Sequence, residues 1–232
     1  MCLTERNPQM NLIADCNPFD SIECFKLTIS KLLGFGIVFG ASILKLPQIY
    51  LIINKQSAKG VSLVSYLLET ISYSIAICYN LRYLKPISTF GEAILITIQN
   101  LIIIALIFSY NKQFNLLFFT NLLFLFIFYA IYSSSTDLLG ILQTSTIILG
   151  IASKLPQILD NYSSKSVGNL SIITVFLQFA GSVARIFTTI VQVKDFIILS
   201  GFVVATCLNG LVFLQCLGYK SVKGGKKSKK KE

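Results

Sequence analysis

Lys45-Leu46-Pro47-Gln48-Ile49 recurs as Lys154-Leu155-Pro156-Gln157-Ile158, so one cluster of a cation, a helix breaker and an amide occurs twice. A lysine inside an apolar run can ion-pair, hold an anion, or snorkel to an interface. A proline there lacks a backbone donor and obstructs the carbonyl four residues earlier, which predicts kinks near Ile43 and Ala152. Carbonyls freed inside a membrane need partners. Gln48 and Gln157 either supply them or face a cavity. Pro47 and Pro156 either shape helix packing alone or act as paired hinges.

Other polar residues stand in apolar runs. Lys45 lies about eight residues before the end of one span and Glu69 about eight after the start of the next. At about 1.5 Å per residue both sit about 12 Å in from the same face. A Lys45–Glu69 ion pair fits, or the lysines snorkel. In the second copy Gln178 takes the place of Glu69, which leaves Lys154 for an anion such as a phosphate. Arg185, matched by Ala76, can grip a phosphate bidentately or neutralise Asp137. Glu92 reads as interfacial. Asn100 and Asn209 hold equivalent mid-span positions. Their amides suit sugar hydroxyls, or bond neighbouring helices for about 0.6–2 kcal/mol. Gly36 and Gly40 form a GxxxG that predicts close helix contact.

The elements that must position these residues are helices in a bilayer. Of the 232 residues, 54% are hydrophobic and 13% charged, against about 25% charged in a soluble domain. That excludes a disordered chain and an ordinary cytosolic enzyme. The chain has no histidine, which removes Ser-His-Asp and Cys-His catalysis and most zinc chemistry. No nucleotide loop, metal cluster or nucleophile–base pair is visible, so neither an enzyme nor a cofactor is expected. Seven of the twenty basic residues fall in the last thirteen positions; without them and Glu232 the net charge drops from +10 to +4. The basicity is a tail property that suits lipid headgroups or a cytosolic receptor, with no nucleic-acid partner. Cys78, Cys207 and Cys216 read as small core residues. Cys16 and Cys24 could bridge if their segment is lumenal.

A span needs about 20 mostly apolar residues. Seven stretches qualify: roughly 32–53, 61–82, 90–110, 114–132, 136–159, 170–192 and 196–217. The first is expected to act as the targeting signal in place of a cleavable leader. The repeat offset of 109 also matches Ser57 to Ser166, Ser62 to Ser171, Leu68 to Leu177 and Asn100 to Asn209. That offset contains four crossings, so both copies point the same way. The expected fold is an all-α membrane protein with two parallel three-helix bundles (31–110 and 136–217) joined by a linker helix (114–132). Residues 1–30 precede them and a basic tail, 218–232, follows. Parallel repeats place a shared cavity at their interface. Eleven basic residues flank the spans on the C-terminal side and six on the other, which predicts a cytosolic C-terminus and a lumenal N-terminus.

Duplicated Pro-Gln motifs in a 3+1+3 layout resemble the PQ-loop superfamily, which includes the SWEET sugar transporters and cystinosin-like carriers. Within it, several pieces resemble the mannose-P-dolichol utilization defect family. They are Lys45 to Gln48, Lys55 to Glu69, Gly91-Glu92-Ala93, Asn161-Tyr162, Leu170 to Thr189, and Cys207 to Gly210. Together they lie within about residues 24–218. The resemblance implies an endoplasmic reticulum protein needed for lumenal use of dolichol-phosphate mannose and glucose. Those donors feed N-glycan, GPI-anchor and O-mannosyl synthesis. Lys154, Arg185, Asn100 and Asn209 would meet phosphate and sugar, with the lipid tail left in the membrane lipid. Other readings are a carrier of soluble sugars or amino acids, or a scaffold for dolichol-dependent glycosyltransferases. Lys229 and Lys230 resemble a dilysine retrieval signal, whose partner is coatomer.

Overall fold

The computed structural model describes residues 21–59, 61–167 and 172–228, with side chains up to Tyr219. Every regular element in them is helical. Helix α1 (Ile22–Leu44) starts where the Ser21 side chain accepts from the Cys24 N–H, a standard N-cap. It stops at Lys45, and α2 (Leu46–Lys55) carries on with Pro47 in its first turn. Pro47 has no N–H to give, and a first turn needs none. Then follow α3 (Leu63–Arg82), α4 (Ile87–Tyr110), α5 (Phe114–Ser133), α6 (Thr136–Ser164), α7 (Ile172–Thr188) and α8 (Phe196–Ser228). Between α7 and α8 lies one π-helical turn, Thr189–Val193. The carboxylate of Asp195 accepts from the N–H groups of Ile197 and Ile198 and so caps α8.

With α1 and α2 taken as one broken rod, the described residues form seven helical rods. Six are long and apolar enough to cross a membrane. The exception is α3, whose Glu69, Arg82 and buried Thr70, Ser74 and Asn80 lower its hydropathy. It affords this polarity because α4, α5 and α6 surround it. Its hydroxyls bond back to its own carbonyls, Thr70 to Tyr66 at 2.7 Å and Ser74 to Thr70 at 2.7 Å, so burial leaves them satisfied.

In a bilayer, lipid is as apolar as leucine, so close packing and polar bonds join the helices. Helix α4 is the most enclosed, packed on α1 and α3, while α8 packs on α6 and α7. The apolar clusters divide by end. At one end Ile75, Cys78, Tyr79, Ile131, Leu139, Val193 and Ile198 form a single cluster shared by both repeats. At the other end the clusters are separate: Ile52, Ala58, Ile103 and Ile107 in the first repeat, Val175, Val212 and Cys216 in the second.

Several expectations change. The expected kink near Ile43 is a break at Lys45, whereas α6 runs through Pro156 as one continuous helix. Gly36 and Gly40 approach no neighbour among the described residues; the close contact belongs to Gly34, where a Cβ would lie 2.7 Å from the Ser88 carbonyl oxygen. The last helix continues to Ser228, past the expected start of the tail. Cys24 is disulfide-bonded; Cys2 and Cys16 lie outside the described residues, as do Lys229 and Lys230.

Candidate functional site

A cavity of about 410 Å³ lies between the repeats. From the first repeat, α3 contributes Tyr73, Ala76 and Asn80, and α4 contributes Thr89, Phe90, Glu92 and Ala93. From the second, α6 presents Gln143, Thr146, Gly150, Ser153 and Lys154, and α8 closes the wall from Ile198 to Asn209. Gln143, Thr146, Gly150 and Lys154 are spaced three, four and four residues apart, which puts them on one face of α6. That face forms a polar stripe along the cavity, with a cation at one end and an amide at the other. The Gln143 Oε1 atom is buried without a protein partner among the described residues.

At one end of the cavity, polar bonds tie the repeats together. The Gln192 amide donates to Ser30 Oγ at 2.6 Å and accepts from Ser88 Oγ at 2.8 Å. Lys85 donates to the Val193 carbonyl at 3.0 Å and lies 3.5 Å from Asp195 Oδ2. The Tyr79 hydroxyl donates to the same carboxylate at 3.1 Å. Beneath these, Arg185 ion-pairs with Glu92 and donates to the Ser88 carbonyl at 3.0 Å. Only 4% of the Arg185 side chain is exposed. The π-helical turn carries Gln192 and Val193 into this end.

At the far end the named polar bonds stay within one repeat. Lys45 Nζ meets both Glu69 oxygens, at 2.9 and 3.1 Å. The equivalent Lys154 Nζ meets Gln178 Oε1 at 3.2 Å, and no carboxylate pairs with it among the described residues. Asn209 Nδ2 approaches the Gln178 carbonyl at 3.4 Å. Asn161 bonds Gln215, which donates in turn to the Ile158 carbonyl.

The sequence-selected residues therefore divide. Lys154, Asn209 and Glu92 face the cavity. Glu69 pairs with Lys45 as expected, and does not line the cavity. Arg185 is locked on Glu92, not Asp137, which is exposed; depth along a helix was readable, direction around it was not. Glu92 is consequently a buried partner and no interfacial residue. Asn100 is fully buried, off the cavity wall, with neither amide atom bonded to a described residue. Gln48 and Gln157 are half-buried, line no cavity wall and hold no freed carbonyl. That work belongs to Gln99, which sequence reasoning passed over although it is an amide in an apolar span. Gln192 and Asp195 were missed for want of any pattern.

Six helices long and apolar enough to span a bilayer, a break at a repeated Pro-Gln motif and a cavity between the repeats define a multi-pass membrane protein. The PQ loop repeat family pattern matches residues 29–89 and 138–198, and the chain belongs to that family. It is similar to solute carrier family 66 member 3 of Homo sapiens, 30% identical over 194 residues, covering 76% of this chain and 87% of that protein. Its fold is similar to that of a eukaryotic SWEET transporter, with a TM-score of 0.70 and 16% identity, over 87% of this chain and all of that one.

Proposed function

We propose that the protein is a carrier of the endoplasmic reticulum membrane that moves or presents the sugar-phosphate headgroup of dolichol-phosphate mannose or glucose. In this reading α1–α4 and α6–α8 are two parallel three-helix bundles, α5 is the reversing linker, and the N-terminus is lumenal and the C-terminus cytosolic. The protein then supplies a path and performs no catalysis. The observation that carries the reading is a cavity walled by both repeats, with a stripe of polar groups on α6 and polar bonds that tie the repeats together at one end. Parting those bonds while the far end closes would pass a polar group between faces without exposing it to lipid. The choice of a lipid-linked donor rests on the motif resemblance from Leu170 to Thr189 and the lysine on the cavity wall.

A second reading, carriage of a free sugar or amino acid, is favoured by the likeness to a solute carrier and to the SWEET fold. Reconstitution into sealed liposomes separates the two. Transbilayer movement of a short-chain dolichol-phosphate mannose analogue without uptake of free mannose is the expected result. Uptake of free solute alone would establish the second reading. Neither activity, with lumenal mannosylation lost in cells lacking the protein, would leave a scaffold for glycosyltransferases.

A further inference from the structure

We infer that the cavity holds an anion of one net negative charge, with Lys154 as its counter-charge and the Asn209 amide of α8 beside it. The inference deepens the carrier reading by naming the class of cargo.

The two repeats provide an internal comparison. Lys45 and Lys154 occupy equivalent positions, and each reaches across to the residue 24 further on. In the first repeat that residue is Glu69, and both its oxygens neutralise the ammonium. In the second it is Gln178, whose amide oxygen accepts one hydrogen bond and carries no charge. The lysine that lost its carboxylate is the one on the cavity wall; the lysine that kept it is not. The cavity wall has one carboxylate, Glu92, and Arg185 already takes it. Counting Lys154, Glu92 and Arg185, the site carries a net single positive charge. An ammonium in a low-dielectric wall is costly without a counter-ion, and a bound anion meets that need. An ammonium is also a point charge with three donors, of which Gln178 engages one. Asn209, which like Lys154 contacts Gln178, adds an amide suited to a hydroxyl next to the charge, and Gln143 adds one at the opposite end of the α6 stripe. A phosphodiester or carboxylate attached to a polyol matches this arrangement, and a neutral sugar or a cation does not.

The test is isothermal titration of the purified full chain in detergent with four probes: mannose, glucuronate, the methyl phosphodiester of mannose 1-phosphate and a short-chain isoprenyl phosphomannose. The charged probes should bind at least tenfold more tightly than mannose. Gln178→Glu rebuilds the first repeat's ion pair and should remove that advantage while leaving the mannose Kd within twofold; Gln178→Asn should keep it. Lys154→Met should remove it and Lys154→Arg keep it, which preserves the test if Gln178→Glu fails to fold. Equal affinity for mannose and the charged probes, or an anion preference that survives both Gln178→Glu and Lys154→Met, would overturn the inference. Tighter binding of the isoprenyl probe than of the methyl phosphodiester assigns the anion to a lipid headgroup, and equal binding assigns it to a soluble ligand. Anion binding without transport would sink the carrier reading and leave this site standing. Transport without anion preference would do the reverse.

Discussion

The side-chain amide of Gln99 stands in for the main-chain hydrogen bond that α1 loses at Lys45. In an unbroken helix the Lys45 N–H would donate to the Ala41 carbonyl. Here the Lys45 N–H donates to Gln99 Oε1 at 2.8 Å, while Gln99 Nε2 donates to the carbonyls of Ala41 and Ser42 at 2.8 and 3.1 Å. The amide is spliced into the break from α4. Its equivalent in the second repeat is Leu208, which can do none of this, and there the helix runs on through Pro156.

Gln99→Leu should therefore strand three backbone groups at the break, the Ala41 carbonyl among them fully buried. Each unpaired group costs about 1–3 kcal/mol, so a large fall in thermal stability is expected in detergent. Leu208→Met should be nearly silent. An unchanged melting midpoint for Gln99→Leu would show that the break needs no brace.

Removing one partner from the Glu92–Arg185 pair leaves a buried charge behind. Loss of about 3–5 kcal/mol is expected for Arg185→Met. Glu92→Gln combined with Arg185→Gln should recover much of that, because no charge is left unpaired. The half-buried Lys45–Glu69 pair is a useful contrast. Lys45 and Glu69 side chains are 19% and 32% exposed, so Lys45→Met should cost much less. Melting curves of the three variants decide it; equal losses at Lys45 and Arg185 would contradict the burial argument.

The bonds of Gln192 and Asp195 should control which end of the cavity is reachable. Thr89 and Ser153 both line it. In a Cys207→Ser background, Thr89→Cys should react slowly with a membrane-impermeant maleimide offered from the tied end. Adding Gln192→Ala or Asp195→Ala should speed that reaction several-fold. Fast labelling with the bonds intact would mean that this end is open already.

Gly34→Ala would put a methyl group against the Ser88 carbonyl at 2.7 Å. That oxygen also receives the Arg185 guanidinium, so it cannot simply move aside. The expected cost is about 1–3 kcal/mol, with loss of the Arg185–Ser88 bond. Gly36→Ala and Gly40→Ala meet open space and should be tolerated. Stability assays on the three single variants check the order.

Hydropathy and the repeat made seven rods and their order readable, because a bilayer demands long apolar helices whatever the neighbours are. Counting residues along antiparallel helices also found the Lys45–Glu69 pair, since depth was all it required. Counting failed for Arg185. Its partner lies on α4 in the other repeat, and that direction is set only when the repeats dock. The GxxxG at Gly36 and Gly40 failed similarly: spacing marks a small-residue face, but α4 approaches at Gly34. Gln48 and Gln157 drew attention by standing beside the prolines, yet the freed backbone is reached from α4, by a residue 54 positions further along than Lys45.

Helix α5 buries Ile131 alone, with Ile127 and Phe128 resting on the shared cluster. Arg82 clips its last turn through the carbonyls of Tyr132 and Ser134, at 2.6 and 3.0 Å. Almost everything else on it faces lipid. Its sequence is thus nearly free to drift among leucine, isoleucine and phenylalanine, and a generic oily helix grafted between Phe114 and Ile127 would serve as well. The rod that lies between the two repeats is the one whose individual side chains matter least.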